Sequence, residues 1–105
     1  MALRVVFRRQ ANTDIETIAD HLAKTADPRK ALEMSEFLRA RCRSLCNFPE
    51  RAAVYRSDFR RLVAGPYLIF YRIADPDDPR LRRVIVSRVL HGAQDIDRLV
   101  DPDDV

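Results

Sequence analysis

The sequence predicts an α+β domain of order β-α-α-β-β-β, with an antiparallel helical hairpin packed on a mainly antiparallel four-stranded sheet. Three observations predict this class: two closely spaced helix-start signals, two β-rich runs joined by a short turn, and a last β-rich run that ends in Arg88 and His91. Helices and strands are grouped rather than alternating, which is typical of α+β folds. With 105 residues, the chain is predicted to be one domain, with a core at about 3–100 and an acidic tail at 101–105.

The first strand and helix come from the N-terminal quarter of the chain. Residues 3–8 are a short apolar and basic run without helical period, and they are predicted to form a strand. Thr13 and Glu16 match a capping box, so the first helix is predicted to begin with Thr13 as its N-cap. Asp14 is assigned to the solvent side of that helix. Its apolar stripe comprises Ile15, Ile18, Ala19 and Leu22.

Asp27 followed by Pro28 is the second start signal, an N-cap residue and a proline in the first turn. This helix is predicted to run to about Asn47 and to pair with the first as a hairpin. Its apolar stripe comprises Ala31, Met34, Leu38, Cys42 and Leu45. Cys42 and Cys46 lie four apart on one helix face, where a disulfide is geometrically poor. We interpret them as reduced, small apolar core residues, with a redox or zinc pair as the alternative.

The C-terminal half is predicted to be a meander of three antiparallel strands. Residues 50–58 are interpreted as an irregular connection, and Gly65-Pro66 as the tight turn of a hairpin. The strands are assigned to residues 59–64, 67–73 and 81–91. Residues 94–100 are predicted to form one or two helical turns. Tyr67 and Tyr71, in the central strand, are expected to be core residues.

Alternation along the last strand places Arg88 on one face with Val84, Val86 and Leu90, and His91 on the other. Arg88 therefore interrupts an apolar row and needs a carboxylate partner, the sheet edge or an open groove. The strand at 67–73 is apolar on both faces, which a single helical hairpin cannot cover. The opposite face is therefore predicted to be left to water or a partner, as a binding surface with arginines spaced through it.

Composition points to an anionic partner. Residues 1–94 hold 18 basic and 11 acidic side chains, a net charge of +7, whereas residues 95–105 hold five aspartates and one arginine. Arginine accounts for 17 of the 19 basic residues and binds phosphate or carboxylate bidentately. Nucleic acid and an acidic protein segment both fit this charge. No apolar run approaches the roughly 20 residues of a membrane span, and we predict a cytoplasmic protein with no cofactor or metal.

The pattern as a whole resembles the ParE branch of the RelE/ParE toxins of bacterial toxin–antitoxin modules, over about residues 3–100. The most specific part is the C-terminal run from Arg88 to Asp95, Arg-Val-Leu-His-Gly-Ala-x-Asp. The other matching positions are Ala11-x-x-Asp14-Ile15-x-x-Ile18, Ala31, Leu38, the run from Leu45 to Pro49, Arg60 and Tyr71-Arg72.

The resemblance implies a toxin that inhibits DNA gyrase and is neutralised by a ParD-like antitoxin encoded beside it. RelE-type relatives instead cleave mRNA on the ribosome, so an endoribonuclease remains the alternative, with Arg72, Arg88 and His91 as its catalytic residues. Under the gyrase interpretation no residue is catalytic. The residues expected to bind the target or the antitoxin are Arg60, Arg61, Arg72, Arg88 and His91.

Overall fold

The computed structural model describes residues 2–94 and 96–100 of the chain. The strands are β1 (Arg4–Phe7), β2 (Val54–Arg56), β3 (Phe59–Ala64), β4 (Tyr67–Ala74) and β5 (Arg83–His91). The helices are α1 (Arg9–Thr25), α2 (Pro28–Arg43) and α3 (Ile96–Leu99), with a 3-10 turn (Ser44–Cys46) after α2. The predicted α+β class and the order of its main elements are confirmed. The acidic tail at 101–105 lies outside the described residues.

The sheet has five strands in the order β1-β5-β4-β3-β2, one more than predicted. β1 runs parallel to β5, and β3, β4 and β5 form the predicted antiparallel meander. The additional strand is β2, which pairs with the start of β3 through an irregular register. The interpretation of residues 50–58 as wholly irregular was therefore wrong, because three residues are too few to show a period of two.

The start of α1 also differs from the prediction. The helix begins at Arg9, and Thr13 is an exposed residue inside its second turn rather than an N-cap. The pairing of β1 with β5 determines where the helix begins. The last hydrogen bond of this pairing runs from the Arg8 N–H to the Val86 carbonyl, at 2.9 Å. The chain then turns directly into the helix, so a tertiary contact replaces the local capping box.

The predicted start of α2 is confirmed. The Asp27 carboxylate accepts a hydrogen bond of 2.8 Å from the Lys30 N–H, and Pro28 opens the helix. Its apolar stripe faces the core as predicted, with Met34 half-buried and the other four residues buried. Burial raises the pKa of the Cys42 thiol to about 12, so this cysteine is an inert core residue. None of the helices in the described part of the chain is long and apolar enough to span a membrane.

The main core lies between the helical hairpin and one face of the sheet. Tyr67 and Tyr71 belong to this core, as predicted. The Tyr71 hydroxyl donates to the Pro49 carbonyl at 2.6 Å, and burial raises the pKa of this phenol. The tyrosine therefore holds the segment that follows α2 against the sheet.

The opposite face of the sheet is partly covered by the chain itself. Phe70 and Leu90 form a second apolar cluster with Val100, and Ile96 and Leu99 of α3 pack against it. The expectation that this face is left wholly to water or a partner was therefore wrong. The predicted helical turn within residues 94–100 is confirmed, and it is this turn that covers the C-terminal half of β5.

Candidate functional site

A β-bulge in β5 determines where the candidate arginine points. Phe70 pairs with Arg88 and Tyr71 with Val86, so Ser87 has no partner in the β4–β5 register. The bulge breaks the predicted alternation. Val84, Val86 and Val89 all contribute to the main core, whereas Arg88 shares the face of Phe70.

Arg88 is held in a bidentate ion pair with Asp14 of α1. Its Nε and Nη2 lie 2.8 Å and 3.0 Å from the two carboxylate oxygens, and its Nη1 donates to the Leu99 carbonyl at 3.0 Å. The expected carboxylate partner therefore exists. Asp14 is only 8% exposed, so its assignment to the solvent side was wrong.

Asp14 has a second partner, because its Oδ2 also accepts the Val89 N–H at 2.9 Å. The register of β1 with β5 ends opposite Val86, which leaves the amides further along this edge of β5 without a strand partner. A buried amide without an acceptor costs free energy, and the aspartate supplies the acceptor. One carboxylate thus joins α1 to β5, and Arg88 extends the connection to α3.

Arg60 and Arg72, two further residues of the predicted set, differ in how firmly they are held. Arg60 donates to the carbonyls of Glu50 and Ala52 at 3.2 Å and 2.7 Å, so it braces the segment before β2. Arg72 lies 4.0 Å from the Asp58 carboxylate, at the limit of an ion pair. Its Nε is buried and has no hydrogen-bond partner among the residues described.

Arg61 and His91 are the two exposed residues of the predicted set. The Arg61 guanidinium lies 5.1 Å from the centre of the Tyr55 ring, in a cation–π contact that leaves it accessible. The His91 ring packs edge-on against Tyr67, with 5.4 Å between the ring centres. Its Nδ1 accepts the Ala93 N–H at 3.1 Å, so in the neutral ring the proton is on Nε2.

The structure does not bring the three candidate catalytic residues together. His91 pairs with Tyr67 at one end of β4, and Arg72 lies five residues further along that strand, about 17 Å away at the usual rise per residue. Arg88 shares the face of Phe70, whereas His91 shares that of Tyr67, which belongs to the main core. In the described parts of the chain, no group of His, Cys, Asp and Glu side chains is placed to hold a metal ion.

The fold is similar to that of solved chains from bacterial toxin–antitoxin systems. One is from the chromosomal ParDE system of P. aeruginosa, with a TM-score of 0.72, 19% identity, and 86% of this chain and 96% of that chain covered. Another is from the RelBE2 complex of Mycobacterium tuberculosis, with a TM-score of 0.57, 23% identity, and coverage of 87% and 99%. No curated protein matches the sequence.

The five-stranded mixed sheet and its helical hairpin thus give the chain the same α+β fold as these toxin–antitoxin chains. The sequence model of the ParE toxin of type II toxin–antitoxin systems matches residues 5–96, most of the chain. The chain therefore belongs to the ParE toxin family, within the RelE/ParE superfamily.

Proposed function

We propose that this ParE-family toxin inhibits DNA gyrase and is neutralised by a ParD-like antitoxin encoded beside it. Membership of the ParE family over residues 5–96 carries the proposal. The separation of His91 from Arg72 and Arg88 supports it, because a toxin that acts by binding needs no shared catalytic centre.

Cleavage of RNA by its own 2′-hydroxyl requires a base, an acid and cations around one phosphate. The Nδ1 of His91 is engaged by the Ala93 N–H, and the opposite nitrogen of the neutral ring carries a proton. Nδ1 would have to give up this hydrogen bond before it could accept a proton from RNA. The guanidinium of Arg88 is neutralised by Asp14, which reduces its value for stabilising a phosphorane. These contacts favour the gyrase proposal over the endoribonuclease.

The five predicted contact residues divide by accessibility. Arg61 and His91 are exposed, and Arg72 is poorly neutralised, so these three are proposed to touch the target or the antitoxin directly. Arg60 and Arg88 are engaged by backbone carbonyls and by Asp14, and we propose that they act mainly by holding the surface in shape.

We expect the purified protein to inhibit DNA supercoiling by gyrase and to leave mRNA intact with or without ribosomes. Arg61→Ala should weaken the inhibition about tenfold or more, because an arginine anchor in an interface typically contributes about 2 kcal/mol. His91→Ala should stay within about threefold of the parent protein, because most side chains that touch a partner contribute little to the binding energy and His91 has no proton transfer to perform. The measurement is the concentration for half-inhibition of supercoiling.

Arg29→Ala is the matched control for Arg61→Ala. The Arg29 side chain is 88% exposed at the start of α2, and its ion-pair partner among the described residues is Glu33, one turn on. The Arg29→Ala variant should inhibit gyrase as well as the parent protein does. Unchanged gyrase activity together with discrete ribosome-dependent mRNA cuts, abolished by His91→Ala, would overturn the proposal and favour the endoribonuclease.

The proposed antitoxin surface runs from the helical hairpin onto the sheet. Leu32 and Phe37 of α2 are 60% and 41% exposed, and Val63 of β3 is 58% exposed. Arg41 of α2 reaches the Val63 carbonyl at 2.9 Å, so the helix and this strand form one continuous surface. Exposed apolar side chains rimmed by arginines suit an amphipathic acidic segment.

We expect the product of the neighbouring antitoxin gene to bind the toxin in equimolar subunits at submicromolar concentration. Replacing Leu32 and Phe37 together with serine should weaken this binding at least about 30-fold, since each loses about 1–3 kcal/mol of apolar burial. Isothermal titration measures the affinity. Phe48→Ser is the control, because Phe48 is 69% exposed and belongs to the loop after the helices rather than to α2. Absence of any complex at micromolar concentration would contradict the antitoxin proposal.

A further inference from the structure

Two adjoining grooves lie at the end of the sheet where β1 and β5 begin, away from His91. Their volumes are about 410 and 340 Å³, and both are lined by Arg4, Arg80 and Arg82. Arg83 and Asp75 complete the charged lining of the second groove. We call these five residues the arginine groove. Four guanidinium groups therefore converge here, of which Arg83 pairs with Asp75 and Arg82 with Glu50.

The register of the sheet forces two of these positive charges together. Arg4 of β1 and Arg83 of β5 are direct partners in the parallel pair, and neighbouring strands lie only about 4.8 Å apart. Like charges opposite each other destabilise a sheet unless an anion lies between them. Arg83 is neutralised by Asp75 at 2.7 Å, but the Arg4 side chain is exposed and has no ion-pair partner in the described part of the chain.

The loop between β4 and β5 holds the backbone of the remaining arginines in place. The backbone N–H of Arg80 donates to the Asp78 carboxylate at 2.9 Å, and the Arg82 N–H donates to the Asp78 carbonyl at 2.8 Å. The Arg80 side chain is exposed, without an acidic partner among the described residues. Arg82 pairs with Glu50, yet its Nε is buried and has no hydrogen-bond partner in residues 2–94 and 96–100.

This arrangement suits a phosphate group better than a carboxylate. A phosphate presents more acceptor oxygens than a carboxylate and can accept from several guanidinium groups at once, in the bidentate geometry that arginine favours. The exposed Arg4 and Arg80 supply uncommitted donors for such a group. The cost of immobilising these donors is reduced because the loop backbone is already hydrogen-bonded.

We propose that the arginine groove is a binding site for phosphate groups, with the sugar-phosphate backbone of duplex DNA as the macromolecular source. The site is distinct from the surface of Arg61 and His91. The proposal does not depend on gyrase inhibition, because it concerns binding by the toxin alone. Contacts of this kind are independent of base sequence and depend strongly on salt.

The test uses the full-length protein and a fluorescently labelled duplex of about 20 base pairs, with anisotropy measured over a range of salt concentrations. We expect Arg4→Gln with Arg80→Gln to lower the affinity at least about tenfold and to reduce the slope of log affinity against log salt by about 2. Neither side chain has a partner within the described structure, so the pair should fold normally. Circular dichroism and thermal unfolding verify this.

Arg29→Gln with Arg43→Gln is the matched control, since it removes the same charge from exposed positions on α2. It should bind DNA like the parent protein. An equal loss in this control, or no loss in the groove variant, would overturn the proposal. So would tighter binding of a labelled oligoglutamate than of DNA, because the groove would then recognise carboxylates.

Inorganic pyrophosphate distinguishes the two sources of phosphate. Displacement of the labelled DNA by millimolar pyrophosphate supports a site that binds the phosphates of the DNA backbone. Binding of pyrophosphate to the parent protein but not to the Arg4→Gln, Arg80→Gln variant, without any DNA binding, supports the phosphate site and assigns it to a free anion. Absence of both DNA and pyrophosphate binding overturns it.

Discussion

Replacing Asp14 with alanine should lower the free energy of unfolding by about 3–5 kcal/mol, because removal of one member of a buried ion pair leaves the other charge without compensation. The Asp14 and Arg88 side chains are only 9% and 16% exposed. The variant also removes the acceptor of the Val89 N–H. A domain of this size is typically stable by only about 5–15 kcal/mol, so the effect should be large in urea unfolding.

Two variants separate the ion pair from other effects of the substitution. Asp20→Ala, on the exposed side of the same helix, should change stability by less than about 0.5 kcal/mol. Asp14→Asn keeps an oxygen for the Val89 amide but loses the charge, so its free energy of unfolding should lie between those of Asp14→Ala and Asp20→Ala. If Asp14→Ala were as stable as Asp20→Ala, the role assigned to this ion pair would be wrong.

Replacing Phe70 with alanine should lower the free energy of unfolding by about 3–5 kcal/mol, the usual range for removing a fully buried aromatic ring. Phe70 is 0% exposed and contacts Leu90 and Val100 in the second apolar cluster. Its ring also packs edge-on against Tyr55, with 5.3 Å between centres. Loss of the ring should release α3 as well as destabilise the sheet. Urea unfolding measures the first effect.

Hydrogen exchange measures the release of α3. The Val100 N–H, which donates to the Ile96 carbonyl at 2.9 Å, should exchange faster in Phe70→Ala than the core amides do. Phe48→Ala is the matched control, since the Phe48 ring is 69% exposed and should be removable with little effect. Equal acceleration at Val100 and throughout the core would show that the cluster does not hold α3 independently.

Substitutions of Arg88 should affect folding as well as any contact with the target. Its guanidinium connects α1, β5 and the end of α3. A loss of toxin activity on substituting Arg88 would therefore arise from unfolding even if the residue never touched the target. Arg61 avoids this ambiguity because its side chain is exposed.

The sequence by itself determined the features that depend on local chemistry. The Asp27-Pro28 start, the stripe from Ala31 to Leu45, and the hairpin around Gly65-Pro66 all follow from side-chain periodicity, capping and turn preference. Gly65 adopts a φ of 60°, a conformation that glycine reaches without steric cost, and this permits the tight turn. The family was also recognisable from the C-terminal run that begins at Arg88.

Only the tertiary structure decided where long-range partners meet. The parallel pairing of β1 with β5 moved the start of α1 to Arg9, against the capping box at Thr13. The bulge at Ser87 changed which side chains share a face of β5. The residues of α3 and Val100 cover part of the second face of the sheet. Asp14 illustrates the physical reason: its polar type indicates an exposed helix face, but it is buried because Arg88 and the Val89 amide, 74 and 75 residues away, need its charge and its oxygens.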